Sequence, residues 1–262
     1  MTTPIVEMRG ISKRYGGVQA LDGAGLDIYA GEVHALVGDN AAGKSTLIKI
    51  LAGAVTRDEG TIAFDGKPVD LGSPRASKAL GVETVYQDLA LADNLNVPAN
   101  VFLGREVTRG GLLRWFLDNS GMEQQARSLM GRLKINIPDV RLKVRSMSGG
   151  QRQSIAIARC VHFNARVIIL DEPTAALGVE ETRKVYALIR DMRDAGAAIL
   201  LISHNLNHVF ENCDLITVLK TGRLVGSRRV VDTSREEILR MIVTGAVEEK
   251  TPQIERARPV NA

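Results

Sequence analysis

The stretch Gly38-Asp39-Asn40-Ala41-Ala42-Gly43-Lys44-Ser45 follows an apolar run, Glu32-Val33-His34-Ala35-Leu36-Val37. It opens into Lys44-Ser45-Thr46-Leu47-Ile48-Lys49-Ile50-Leu51-Ala52, which stops at Gly53. A strand, a glycine-rich turn and a helix in this order fit the pattern G-x-x-x-x-G-K-[ST]. Successive backbone N–H groups in such a turn face inward as an anion nest, and the helix points its positive end at the same place. Lys44 is placed to reach β- and γ-phosphates, and Ser45 to offer its hydroxyl to Mg²⁺. Gly38 through Thr46 are thus the expected phosphate-binding residues. A glycine turn that merely caps a helix would also carry Gly38 and Gly43, but the flanking strand and the Lys-Ser pair select the phosphate reading.

Outward from that loop, Val167-Ile168-Ile169-Leu170 and Ala198-Ile199-Leu200-Leu201-Ile202 are unbroken aliphatic runs separated by a helical stretch, Glu180 to Arg193. Strands buried on both faces have this composition, so a parallel sheet is expected. The first run ends in Asp171-Glu172, two carboxylates at the carboxyl edge of the sheet, where α/β folds bind ligands. Taken alone, such a pair is an ordinary solvated helix start. Beside a phosphate loop, Asp171 becomes a Mg²⁺ holder, through water, and Glu172 the group that polarises the attacking water. Nearer the start, Thr61-Ile62-Ala63-Phe64 runs into Asp65-Gly66, a hairpin signal. The middle, about 88–162, is mainly helical, notably Met122 to Leu133 and Gln151 to Val161.

Composition narrows the class. The chain has 262 residues, 45% hydrophobic and 24% charged, ordinary for a globular protein and unlike a disordered or disulfide-stapled one. A net charge of +4 from 34 basic and 30 acidic residues argues only weakly for an anionic partner. Aromatics at 4% speak against a base-stacking surface, so no nucleic-acid partner is expected. The longest uncharged aliphatic stretch, Gly196 to Ser203, is far short of the ~20 residues of a spanning helix. The first residues lack the basic and apolar regions of a secretory signal. Cys160 and Cys213 stand apart, as reduced, buried thiols of a reducing cytosol do.

Ser146-Met147-Ser148-Gly149-Gly150-Gln151-Arg152-Gln153 completes the set. Alone it would be a capped helix start. Together with the loop at Gly38 and the carboxylates at Asp171, it resembles the ATP-binding subunit of ATP-binding-cassette transporters, over nearly the whole chain from Ile5 to about Gly245. The loop resembles Walker A, Ile168 to Glu172 resembles Walker B, and Ser148-Gly149-Gly150-Gln151 the family signature. Gln87 is similar to the glutamine that senses Mg²⁺ and the membrane partner. His204 resembles the switch histidine that contacts the γ-phosphate, and Tyr15 the aromatic that stacks on adenine. This resemblance implies an α/β P-loop NTPase core with a mainly parallel sheet, an N-terminal antiparallel β subdomain and a helical signature subdomain. The cassette would span 4–245, its helical part about 88–162, with a flexible tail over 246–262. ATP and Mg²⁺ are the implied cofactors, and Lys44, Glu172 and His204 the implied catalytic residues. Ser45, Gln87 and Asp171 would serve the metal. Ser148 would act in trans, because two cassettes of this family sandwich ATP between one Walker A and the other signature.

Three positions depart from the family pattern. Ala41 stands where another glycine is usual, and if that position needs positive φ it costs on the order of 1 kcal/mol. Met147 replaces a leucine, a tolerated exchange. Gly178, in Ala175-Ala176-Leu177-Gly178, replaces an aspartate that makes contacts across the dimer, which puts coupling between the two sites in question. Asn96 to Glu106, with Phe102-Leu103-Gly104-Arg105-Glu106, resembles the segment found in ATPases of bacterial monosaccharide importers. A homodimer of single cassettes under a pair of membrane permeases is the implied assembly. It would sit on the cytoplasmic face of the bacterial inner membrane and serve a periplasmic sugar-binding protein indirectly. The alternatives are a soluble cassette ATPase acting on nucleic acid or ribosomes, an amino-acid importer ATPase and, more remotely, a P-loop small-molecule kinase. The first usually carries long coiled coils, and no sustained heptads occur here. The kinase would have no use for Ser148-Gly149-Gly150-Gln151.

Overall fold

A computed structural model describes residues 3–111 and 114–246; the expected tail therefore lies almost wholly outside the described residues. The aliphatic runs pair as their composition dictates. Strands β3 (Val33–Val37), β6 (Val82–Val85), β7 (Val167–Asp171), β8 (Ala198–Ile202), β9 (Leu215–Lys220) and β10 (Arg223–Arg229) form one sheet in the order β10-β9-β3-β8-β7-β6. All neighbours are parallel except the β9–β10 hairpin. Every residue of β3 and β8 is buried, which explains why neither run alternates polar with apolar.

A second, antiparallel sheet in the order β2-β1-β4-β5 comprises β1 (Val6–Tyr15), β2 (Val18–Ile28), β4 (Glu59–Phe64) and β5 (Lys67–Pro68). Its β4–β5 turn has φ 49° at Asp65 and 71° at Gly66, the paired positive angles of a type I′ hairpin. One core, with Met8, Ile11, Leu21, Leu47, Ile50 and Ile62, fills the space between this sheet, helix α1 (Lys44–Leu51) and the main sheet.

The main sheet's other face is covered by α6 (Val179–Asp194), α7 (Leu206–Asn212) and α8 (Arg235–Thr244). Helix α2 (Pro74–Ala79) precedes β6. Between β6 and β7 lie α3 (Val97–Val101), α4 (Asn119–Arg132) and α5 (Gly149–His162), around a third core containing Phe102, Met122, Leu129 and Val144. Helix α5 serves two cores. Ala156, Ile157 and Cys160 face the main sheet, whereas Ile155 and Ala158 face the helical cluster. The helical character expected of the middle region is therefore observed, with a short bridge between Thr108 and Leu117 added. Both cysteines are free and buried, and burial raises both thiol pKa values, Cys160 to about 12.

At the base of β3 the expected strand carries one polar intrusion. His34 is 1% exposed. Its Nε2 lies 2.6 Å from Thr217 Oγ1, which in turn lies 2.6 Å from Ser227 Oγ. Burial pushes the ring pKa down to about 4, so the imidazole is neutral near pH 7.

Candidate functional site

Four of the parallel strands deliver the residues just past their ends to one edge of the sheet. After β3 comes the glycine-rich loop, after β7 Glu172, after β8 His204, and after β6 Gln87. Convergence is a result of topology: parallel neighbours end at the same edge, and adjacent strand ends are one strand spacing apart, ~4.8 Å.

The loop has the backbone its sequence requires. Gly38, Ala41 and Gly43 have φ of 152°, 64° and 100°, an arrangement that turns N–H groups toward one centre. A Cβ at Gly38 would collide with the Leu219 carbonyl oxygen, and one at Gly43 would sit 2.7 Å from that of Ala20. Only glycine fits either place. Ala41 does adopt the left-handed conformation in which a Cβ is unfavourable, by about 1–2 kcal/mol. The Ala42 carbonyl accepts the Gly222 N–H at 2.9 Å, which ties the loop to the β9–β10 turn.

Lys44 folds back over its own loop, its Nζ donating to Gly38 O at 2.7 Å and Asp39 O at 2.9 Å. Burial pushes its pKa down, against the pull of Glu172, Asp39 and Asp171. Asp171, the last residue of β7, is pushed up by burial and by the Glu172 carboxylate, with Lys44 and Lys49 opposing. A carboxylate in that state is short of positive charge. Asp171 and the Ser45 hydroxyl are hard oxygen donors suited to Mg²⁺. Among the described residues no group of three or more His, Cys, Asp or Glu side chains could hold a metal. The donor set thus fits an ion whose remaining ligands are phosphate oxygens and water.

Glu172 has φ 50°, a left-handed residue immediately after a strand, and its N–H donates to Ile202 O at 3.0 Å. His204 Nδ1 lies 2.9 Å from Glu172 Oε1. A carboxylate only accepts, so Nδ1 carries the proton of this bond. The His204 side chain is 74% exposed while that of Glu172 is 18% exposed. Sequence reasoning alone misses this direct bond. The register brings the two strand ends together, since Asp171 pairs with Ile202, but it sets Glu172 beside Ser203, and the bond to His204 one residue further on is decided by the fold.

Tyr15 lies elsewhere, at the β1–β2 hairpin, with its ring exposed and the Lys13 ammonium 5.7 Å from the centroid. Gln87 is exposed and is followed by two left-handed residues, Leu89 and Ala90, at φ 61° and 46°. Ser148 is the N-cap of α5. Its Oγ accepts the Gln151 N–H at 3.2 Å, and Gln151 Oε1 accepts the Ser148 N–H at 3.0 Å, a reciprocal capping box. Gln151 Nε2 also donates to Asn136 O at 3.0 Å. None of these bonds reaches the phosphate loop. Gly149 and Gly150 pack instead on the segment after β7: a Cβ at Gly149 would meet Leu177, and one at Gly150 would strike the Glu181 side chain. Glu181, which no sequence motif marks, is thus the residue that fits the signature to α6. Gly178 is the N-cap of α6 and supplies no side-chain bond.

Comparison with known proteins places these features among relatives. A family model described as ABC transporter matches residues 21–175. The chain is 50% identical to the fructose import ATP-binding protein of Rhizobium meliloti over 224 residues, 84% of this chain and 86% of that protein. It is 44% identical to the xylose/arabinose import ATP-binding protein of Sulfolobus acidocaldarius, over 93% of this chain and 95% of the other. A solved structure, the ADP conformation of an ATP-binding cassette of an ABC transporter, superposes with a TM-score of 0.78 at 26% identity and covers 92% of this chain and 95% of its own.

Proposed function

Because this chain belongs to the ABC transporter family, we propose that it is the ATP-hydrolysing subunit of an importer that energises uptake of a monosaccharide through a membrane permease. One observation carries the sugar reading: two relatives matched over 84% or more of both chains are import ATP-binding proteins, one for fructose and one for xylose/arabinose. Residues 4–245 act as the cassette in this reading, with 88–162 as its helical part. Among the described residues no helix is long and apolar enough to cross a membrane, so passage of the sugar falls to a permease. The cytoplasmic face of the inner membrane is the expected place, and a periplasmic binding protein the expected upstream partner.

The geometry supports a clear division of labour. Residues Gly38 to Thr46 cradle the phosphates, and Lys44 exchanges the carbonyls of Gly38 and Asp39 for phosphate oxygens. Tyr15 offers its exposed ring to the adenine. Ser45 and Asp171, with Gln87 beyond β6, hold Mg²⁺, whose role is to neutralise phosphate charge. Glu172 orients and polarises the attacking water. His204 holds the Glu172 carboxylate and presents Nε2 to the site; protonated, it would bind a γ-phosphate oxygen. Phosphoryl transfer asks mainly for positioning and charge stabilisation, and each of these side chains supplies one or the other. Ser148, Gly149, Gly150 and Gln151 bond nowhere near their own phosphate loop, which supports a site completed by the signature of a second cassette.

The experiment is purification of tagged chain from detergent-solubilised membranes, followed by reconstitution with the permease it carries. A monosaccharide should stimulate ATP turnover and be taken up, and Lys44→Ala should abolish both. Recovery of ribosomes or nucleic acid without a polytopic membrane protein would overturn the reading.

A further inference from the structure

Among the described residues the two most exposed aromatic side chains, Trp115 and Phe116, are neighbours in the chain. Exposure rises along three consecutive residues, from 46% at Leu117 to 62% at Phe116 and 82% at Trp115. They lie on the returning arm of a small hairpin between α3 and α4, with sequence Val107-Thr108-Arg109-Gly110-Gly111-Leu112-Leu113-Arg114-Trp115-Phe116-Leu117. The root is built. Asp118 N donates to Val107 O at 2.8 Å and Arg109 N to Phe116 O at 2.9 Å, Val107 packs on the helical core, and Asp118 caps α4. An exposed tryptophan on a frayed segment would mean little. Here the residue that follows the tryptophan is fixed, because the Phe116 carbonyl accepts the Arg109 N–H.

Charge follows the same line. Between Glu106 and Asp118 there is no acidic residue, and Arg109 and Arg114 are the only charges. Neither arginine makes an ion pair among the described residues, in contrast to Arg105, which is bound to Glu83 at 2.7 Å. The Arg114 guanidinium lies 5.2 Å from the Trp115 ring centroid, so cation and aromatic face the same surroundings. An amphipathic aromatic beside unneutralised arginines suits the interface of an anionic bilayer, where the ring sits at headgroup level and the guanidinium meets phosphate.

We propose that Trp115 and Phe116, flanked by Arg109 and Arg114, form a membrane-contact device that inserts the two rings into the headgroup region of anionic phospholipid. It holds the subunit at the bilayer independently of the permease. A single short insertion of this kind is weak and reversible, which suits a subunit that must also move during turnover.

Trp115 is the chain's one tryptophan, so its fluorescence reports directly. The intact protein is titrated with vesicles of phosphatidylcholine containing phosphatidylglycerol, and with phosphatidylcholine alone. Expected are a blue shift and quenching by bromine-labelled acyl chains on the anionic vesicles only, reversed by salt. Phe116→Ser, which keeps the reporter, should weaken partitioning roughly tenfold, and each of Arg109→Gln and Arg114→Gln about fivefold. Trp115→Ser with Phe116→Ser should lose co-sedimentation with anionic vesicles while ATP turnover stays unchanged. An emission that stays at its solvent-exposed position with both vesicle types would overturn the proposal. A shift seen only when permease is present would do so as well, and would make the occupant a protein. The vesicles contain no permease, so failure here leaves the sugar-import reading untouched.

Discussion

The carboxyl edge of the main sheet and the N-terminus of α5, the two halves of the proposed nucleotide site, are prepared to different degrees. At the sheet edge the groups already hold one another: Lys44 on the carbonyls of Gly38 and Asp39, His204 on Glu172, and Ala42 on Gly222. At α5, Ser148 is exposed, and its side chain is engaged with Gln151 alone. The first half is assembled by β-pairing inside one chain. The second is a capped helix end in which Ser148 and Gln151 bond each other, and in the proposed reading a second cassette supplies its counterpart. A sheet preorganises the residues just beyond its strands; the N-terminus of α5 lies away from that edge, packed on Leu177 and Glu181.

The sharpest way to break this contrast is to disable the sheet-edge half. Glu172→Gln should preserve nucleotide binding and slow turnover by about 10²–10⁴-fold, read by single-turnover phosphate release beside equilibrium nucleotide binding. Wild-type turnover would remove Glu172 from the chemistry. Complementation tests the α5 half next. Lys44→Ala and Ser148→Arg should each cost about 10²–10³-fold alone, the range for losing a charge-stabilising contact. Mixed, they should regain activity, because one composite site then has an intact loop and an intact signature. No recovery would place Ser148 in its own chain's site or outside the chemistry.

Stability provides two smaller tests of how firmly the sheet half is built. His34 is neutral when folded, with its pKa pushed down to about 4, whereas an unfolded histidine titrates near 6.5. Its contribution is therefore complete above pH 6.5 and shrinks as pH falls toward 4, where unfolded chains bind the proton and folded ones do not. The loss amounts to up to about 3 kcal/mol. Urea melts across this range should show the slope, and His34→Gln should flatten it. Smallest is Ala41→Gly, which removes a Cβ from a residue at φ 64°. It should raise stability by roughly 0.5–1 kcal/mol after the entropy of the added glycine, seen as a higher Tm, with nucleotide affinity equal or better.

Much of the phosphate loop is legible residue by residue, because a nest needs glycine at set places and a lysine and hydroxyl at the helix start. The same holds for β3, β7 and β8, whose unbroken aliphatic runs leave them no solvent-facing side. Boundaries differ by a residue or a few: α4 starts at Asn119 rather than Met122, since Asp118 accepts the Gly121 N–H and caps it there. The bridge between Thr108 and Leu117 is not legible, because neither arm alternates and Trp115-Phe116-Leu117 reads like buried sequence.

Local order and chemistry are thus written in the string: which segments become strand, loop or helix, and which of them carry an anion nest, a pair of carboxylates or a capping serine. Pairings at a distance are not. That His204 rests on Glu172, that Glu181 fits against Gly150, and that Trp115 stands in solvent while Phe102 is buried all depend on which strands become neighbours and which faces are covered. Periodicity describes a segment's own faces. The neighbour that each face meets is chosen when sheet order and packing form together, over separations that no local pattern spans.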